Sequence, residues 1–505
     1  MNRIKVFPKV FLLILICISV LLLHACSFKK EEEVFPTTTT EQSADLEYAE
    51  LVMYLIGSPS SDYDSMLEKL NQKLKLDLNA KLIVKWIGWG DFSTRYPLLL
   101  ASGETVDLIY TSTWLDYVGL AQKGAFLPLD EIGLQYAPLS FSKEPLEALE
   151  EAKVNGKIYA LPPNYAAYAS LGPLVRGDLR KSYGLEKIEN LEEYGDYLKG
   201  VVEHNPELIP VGLYSTQTPI DGLFFYQQGL YPLSGDVATN SPFWIDLSEP
   251  SGEVINITEK EDLPDMLELF RQWYLSGYWP SSVLALKDSN QMRKGEAASM
   301  VHLVSSWTSM HFSQPEFEAE YTTFLKQSYR LPYLQDAMAV PVSAKHPERA
   351  LMLLDLLRND QSYYDLMTYG IEGINYEIDS EGKLHILGDG FIPDMNCSWG
   401  FRDESLQYDI ADYPKDYVRM LEEIEASAIE NIYTRFILDI EPIEKEYQAV
   451  MEVMQQYYVP LKLGMLDPVE GLIQLKAQLK AAGIGKVTRE VQTQIDDFRK
   501  NHQNP

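Results

Sequence analysis

Cysteine is nearly absent, with three in 505 residues, at positions 17, 26 and 397. Cys17 lies inside an apolar N-terminal run and Cys26 just past its end, so the body of the chain keeps Cys397 alone and a disulfide framework is excluded. A lone thiol with no partner histidine or local signature reads as buried and inert. Histidine is scarce as well. Of the seven, His302 and His311 are the only pair beyond the leader within ten residues of each other, and no carboxylate or cysteine pattern accompanies them, which argues against a zinc site. GxSxG, HExxH, Walker and GxGxxG motifs are missing, so the usual nucleophile, metal and nucleotide chemistries have no signature and no cofactor is expected. Basic residues are the minority charge, 43 against 74 acidic for a net of −31, which makes nucleic acid a poor partner. So many carboxylates guarantee close pairs, such as Glu372 with Glu377 and Asp439 with Glu441. A glycosidase needs two acids flanking one bond, but solvated surface charge accounts for such pairs, and an enzyme is not expected.

What is present begins with an export signal. Arg3, Lys5 and Lys9 precede Val10 to Leu23, a mostly apolar run of 14 residues, short for a membrane-spanning helix and suited to a signal peptide covering residues 1–25. It ends at Leu23-His24-Ala25-Cys26, which resembles a bacterial lipobox, with His24 where a small or hydroxyl residue is usual. The resemblance implies cleavage before Cys26 and lipidation of its thiol. Loss of the three signal cations takes the net charge from −31 to −34. A body so acidic is repelled by anionic lipid, so acyl chains and not surface charge would tether it. Residues 26–45, with charged runs, one proline and four consecutive threonines, read as a flexible spacer.

Beyond the spacer, strand and helix alternate. Leu51 to Ile56 is a continuous apolar strand; Tyr63, Met66, Leu67, Leu70 and Leu74 then fall on one helical face. Leu82 to Ile87 reads as a second strand, Thr94 to Ser102 as a helix, Val106 to Tyr110 as a third strand, and Trp114 to Gly124 as a helix closed by its glycine. This order predicts a parallel sheet covered by helices. From Tyr165 to Leu331 helices such as Leu191 to His204 and Pro264 to Leu275 mix with aromatic-rich loops, a second α/β lobe. Ala337 to Val342 and His346 to Arg358 return to strand and helix, and from Pro442 onward the pattern is helical, with Gly483 separating the last two helices.

Aromatic residues are the positive functional signal: 32 Tyr, 18 Phe and 8 Trp. Sugars present apolar C–H faces ringed by hydroxyls, and tyrosine and tryptophan offer a flat apolar surface with a polar tip. Most such rings belong to a core or a surface, so position must select among them. In an open α/β sheet, ligands meet the loops at the carboxyl ends of strands. That rule selects Gly57 to Asp62, Trp89 to Asp91 and Ser112 to Asp116, and within them Trp89, Asp91, Ser112 and Trp114.

The stretch Ser102-Gly103-Glu104-Thr105-Val106-Asp107-Leu108-Ile109, followed by Gly124 to Asp130 and Asn155 to Pro162, resembles family 1 extracellular solute-binding proteins of the maltose-binding type. Gly295 to Met300 resembles the segment ahead of a cleft tryptophan in that family, and Ser343 to Ala350 its strand-to-helix return. Tyr369 to Tyr376, and Glu441 through Ile484, resemble the lipoprotein subgroup that carries a C-terminal domain of unknown function. The resemblance implies an α/β, two-lobed periplasmic-binding-protein-like fold of type II with a hinge, a central cleft and a helical C-terminal region. Its lobes would be 46–162 plus about 336–400, and 163–335 plus about 401–505, crossing near Leu161 to Tyr165 and Tyr333 to Asp336. It adds Tyr165, Trp307 and Glu372 to the candidate ligand contacts, with Trp399 from loop context. The function implied is that of an extracytoplasmic, membrane-anchored, monomeric binding lipoprotein that hands a small-molecule ligand, expected to be a sugar, to the permease subunits of an ABC importer. A peptide or amino-acid ligand, or presentation of ligand to a sensor kinase, stays open at this point.

Overall fold

Eight residues, Ala49–Ile56, form the strand around which the first half of the chain is built: all but Glu50 and Val52 are buried, and Met53 to Ile56 are buried on both faces. In the computed structural model, which describes residues 46–214, 218–235, 239–249 and 251–502, this strand pairs in parallel with Ala80–Ile87 over its full length, Ala49 opposite Ala80 through Ile56 opposite Ile87. On its other side it pairs in parallel with Leu108–Thr111. The signal peptide, Cys26 and most of the spacer lie outside the described residues. Among the described residues no helix is long and apolar enough to cross a membrane.

The sheet is mixed and not wholly parallel as expected. Ala337–Ala339 enters between Leu108–Thr111 and Ala160–Leu161 and runs antiparallel to both. The chain is then returning from the second lobe, so it meets the sheet from the opposite direction. Its amino end, with Gln335 and Asp336, therefore lies at the edge where its neighbours have their carboxyl ends. The helix Tyr63–Leu78 covers this sheet with Tyr63, Met66, Leu70, Leu74 and Leu78, while Leu67 is only half-buried. Asp107 is fully buried and pins two other segments to its own, accepting from the N–H groups of Val52, Lys345 and His346 at 2.9 Å each.

A second correction concerns Trp114 to Gly124. No single helix forms there. A short turn, Thr113–Leu115, is capped by Ser112, and the helix proper is Tyr117–Gln122. Asp116 between them adopts a left-handed backbone, φ 59°, which re-aims the chain.

The second half of the molecule has its own core. Its sheets are small and antiparallel: Gly172–Val175 lies between Ser299–His302 and Glu320–Tyr321, and Phe243–Asp246 between Leu230–Pro232 and Val254–Asn256. Helices Leu191–His204 and Leu263–Leu275 supply most of the remaining buried surface. The C-terminal helices join this core and do not form one of their own, since Val450, Met454, Tyr458, Leu475, Leu479, Val487, Val491 and Ile495 cluster with Phe270, Trp273 and Trp279. A buried ion pair ties them in. Lys462 Nζ lies 2.8 Å from Asp221 Oδ1, and Tyr458 Oη donates to Asp221 Oδ2 at 2.8 Å from a π-helical turn, Met454–Tyr458.

Chain crossings between the halves are bonded to one another. Asn164 donates to Asp403 and accepts from the Glu404 N–H, both at 3.0 Å. Leu331 N–H donates to Ala167 O at 2.8 Å, and Ile429 N–H to Ser328 O at 2.9 Å. Crossings made of a few loop and element-terminal residues are where a hinge between two lobes absorbs its backbone rotation.

Candidate functional site

Three tryptophans from distant parts of the sequence meet at the carboxyl edge of the first sheet. Trp89 follows the strand Ala80–Ile87 and Trp114 follows Leu108–Thr111, as the strand-end rule expects. Their ring centroids are 5.8 Å apart, and Trp399 lies 6.0 Å from Trp89. All three are half-buried and rest on the first-lobe core. Beneath them Tyr110 is fully buried, 5.8 Å from Trp114 and 5.9 Å from Trp399, and Phe92 closes the flank at 5.5 Å from Trp114.

Local chemistry fixes each ring. Gly57, φ +108°, leaves room for Trp89, because a Cβ there would sit 3.0 Å from the indole nitrogen. Trp114 Nε1 donates to the Gln335 carbonyl at 3.2 Å, so the turn Tyr333–Gln335 that leads into the antiparallel return strand braces it. Trp399 is carried by a loop seated on the end of the first strand. Ile56 N–H donates to Cys397 Sγ at 3.4 Å, and Ser60 N–H to Asn396 Oδ1 at 2.9 Å. Cys397 is wholly buried, and burial pushes its thiol well above the ordinary range, as expected of an inert cysteine.

Beside the rings lies a charged network. Arg402 Nη2 contacts Asp394 Oδ1 at 2.6 Å and its Nη1 lies 3.9 Å from Asp336; the guanidinium also covers the Tyr165 ring at 5.1 Å. Tyr110 Oη donates to Asp336. Burial works against the charge on Arg402, but the two carboxylates outweigh it and hold the guanidinium firmly protonated. Burial raises Asp336, which Arg402 and the Tyr110 hydroxyl partly oppose. Aromatic faces flanked by fixed donors and acceptors suit a polyhydroxylated ligand with apolar faces.

Trp89, Trp114, Tyr165 and Trp399 are thus brought together, and the other four candidates are not in this cluster. Ser112 is buried and its Oγ accepts from Trp114 N–H at 3.0 Å, so it caps a turn. Asp91 is 38% exposed on its side chain, 3.7 Å from Arg95. Glu372 is exposed on a turn leading into the hairpin Tyr376–Ile378 and Leu384–Ile386. Trp307 is 7% exposed inside the second lobe, donating from Nε1 to Ala319 O at 2.7 Å and packing on Tyr321 and Tyr417. Tyr110, Asp336, Asp394 and Arg402 were not foreseen. Tyr110 is the penultimate residue of the third strand and Arg402 follows Trp399 by three residues, but only the fold reveals that they converge.

The second lobe reaches this edge. A Cβ on Gly90 would lie 2.4 Å from the Lys287 carbonyl, so the loop carrying Trp89 abuts residues of the other half. Ser309, also of the second half, places its Oγ 3.5 Å from Met395 Sδ, beside Asp394.

The model of the bacterial extracellular solute-binding protein family matches residues 57–363, and that of a domain of unknown function, DUF3502, matches 432–500. A carbohydrate ABC transporter substrate-binding protein of Streptococcus pneumoniae is 26% identical over 466 residues, 89% of this chain and 91% of the relative. Among solved structures, the N-glycan transport solute binding protein NgtS of the same species, in complex with Man1GlcNAc, superposes with a TM-score of 0.76 at 21% identity, over 90% of this chain and 100% of that one. Maltose-bound MalE3 of T. maritima superposes with a TM-score of 0.53 at 14% identity, over 86% of this chain and 99% of that one.

Proposed function

Because the chain belongs to the bacterial extracellular solute-binding protein family, whose members serve ABC transporters outside the cytoplasm as binding proteins and not as enzymes, we propose that it captures a carbohydrate on the Trp89, Trp114 and Trp399 platform. The observation that carries this reading is the convergence of three half-buried indoles at the edge where the two lobes meet.

Each indole offers a face for the C–H side of a sugar ring, while Asp336, Asp394 and Arg402 offer fixed partners for hydroxyls. Closure of the second lobe over the platform expels water and strengthens those polar contacts. Ligand binds the closed form better and so shifts the population toward it, which is the signal a permease can read. The permease subunits are the partner, and acylation at Cys26 holds this monomeric subunit at the membrane. The carbohydrate named for the pneumococcal relative supports the ligand class.

The test is a thermal-shift screen of residues 27–505 against mono- and oligosaccharides, with amino acids and short peptides alongside. Ligand at a hundred times its dissociation constant adds about 2.7 kcal/mol of stability. A sugar recovered chemically unchanged supports the reading, and hits confined to peptides would replace it. For the anchor, a Cys26→Ala protein that still incorporates labelled fatty acid would exclude lipidation at that thiol.

A further inference from the structure

Resting on the carbohydrate reading, we propose that Arg293 is the second lobe's anchor for a carboxylate on the ligand, so that this cleft prefers an acidic saccharide.

Arg293 belongs to a segment of the second lobe that approaches the first lobe at both ends, directly at Lys287 and through Ser309 at Arg293. Lys287 begins it against Gly90, next to Trp89. At its other end Arg293 Nη2 donates to Ser309 Oγ at 2.6 Å, and that oxygen is 3.5 Å from Met395 of the first lobe. The backbone is held in place by bonds of its own. Gln291 Nε2 donates to Leu213 O at 3.1 Å, and the Arg293 carbonyl accepts from Gln314 Nε2 at 2.7 Å. The side chain is therefore presented by a fixed support.

What that side chain lacks is a counter-charge. Arg176, Arg180, Arg330, Arg358 and Arg402 each hold a carboxylate, and Arg271 and Arg349 bond to backbone carbonyls. Among the described residues no carboxylate lies within 4.0 Å of Arg293, and its Nε is buried without a hydrogen-bond partner. The nearby acid Asp288 is committed to Lys294 and to the Asn290 N–H. Across the cleft Arg402 is already neutralised by Asp394 and Asp336, so it does not compete for an anion.

A guanidinium is always charged, and its planar fork matches a carboxylate, which accepts two parallel N–H bonds and cancels the charge. A hydroxyl does neither. Burying the cation beside one serine is unfavourable unless an anion arrives, and burial alone already works against its charge. A carboxylate that enters with the ligand would bond the outer nitrogens of the guanidinium and supply the counter-charge it lacks. The strong negative charge of the whole chain opposes such a ligand at a distance, but salt screens that repulsion beyond about 8 Å at physiological ionic strength.

The experiment is a glycan array carrying neutral, uronic-acid and sialylated oligosaccharides in matched pairs, followed by calorimetry on the best pair with wild type, R293K and R293Q. Wild type should bind the acidic member at least about tenfold more tightly than its neutral partner. R293Q should abolish that preference while leaving neutral binding within about threefold, and R293K, lacking the fork, should keep only a minor part of it. S309A, which removes the hydroxyl but not the charge, should keep the preference and so serves as a second check if R293Q folds poorly. Equal binding of neutral and acidic members by wild type, or a preference that survives in R293Q, overturns the proposal while the carbohydrate reading stands. Failure of every saccharide overturns both.

Discussion

Trp399 and Trp307 both look like cleft tryptophans in the sequence, and the two lobes treat them in opposite ways. At the edge of the first sheet Trp399, with Trp89 and Trp114, keeps part of its surface open. In the second lobe Trp307 turns inward, bonds through Nε1 and is 7% exposed. The difference lies in the supporting element. A loop at the end of a strand projects beyond the sheet, whereas a helix such as Ser305–Ser313 has an inner face, and Trp307 shares that face with Thr308 and Met310. The sharpest way to break the comparison is Trp307→Ala. The second-lobe role predicts a loss of about 3–5 kcal/mol of folding stability, measured by denaturant unfolding, with ligand affinity nearly unchanged. A variant of normal stability and poor affinity would return Trp307 to the cleft.

Buried polarity sharpens the same contrast. Lys462 and Asp221 are paired in the second lobe with side-chain exposures of 0% and 2%. Removing one partner leaves an uncompensated buried charge, so Lys462→Met should cost about 3–5 kcal/mol, and adding Asp221→Asn should restore most of it. Failure of the double variant to recover would mean that the C-terminal helices depend on the charge itself.

His302 gives the second lobe a distinct acid response. Burial lowers its pKa from 6.5 to about 4, and Nδ1 is 2.6 Å from Ser306 Oγ. The folded state thus disfavours the protonated ring. Its stabilising contribution is complete above pH 6.5 and is lost as pH falls toward 4, amounting to about 3 kcal/mol. Many carboxylates also titrate in that range, so the measurement is the difference between wild type and His302→Gln. The gap in unfolding free energy between pH 7 and pH 4.5 should be smaller in the variant, and equal gaps would remove His302 as the cause.

Much of the first lobe was legible because period and burial agree there. Leu51 to Ile56 is apolar throughout and Met53 to Ile56 are buried on both faces, and the strand-end rule carried Trp89 and Trp114 to the site. The break at Asp116 was invisible, since a left-handed residue between two short turns leaves the helical spacing of apolar residues intact. The side on which Trp307 would fall was equally hidden: serine, threonine and histidine interrupt its helix, so no apolar stripe marks the inner face. Asp336 and Arg402 escaped for a different reason. Tyr110 and Asp336 are 226 residues apart, and partners chosen by topology leave no trace in local spacing. The ordered family-like segments conveyed the two-lobed architecture, while the antiparallel entry of Ala337–Ala339 had to be seen.

The smallest predicted change tests the open side of the contrast. Trp399 reaches the site through the Cys397 and Asn396 contacts of its own loop, and these survive truncation of the indole. Trp399→Ala should therefore weaken binding of the sugar found in the screen by about 1–3 kcal/mol, the range of an aromatic anchor in a binding interface. Its unfolding midpoint should fall by less than that of Trp307→Ala, because a half-buried ring leaves a shallower cavity than one enclosed by Tyr321 and Tyr417. Calorimetry and unfolding on the same two variants compare the lobes directly. If Trp399→Ala were the less stable protein and the better binder, the indoles at the first-lobe edge would be core residues and the ligand would have to be held elsewhere between the lobes.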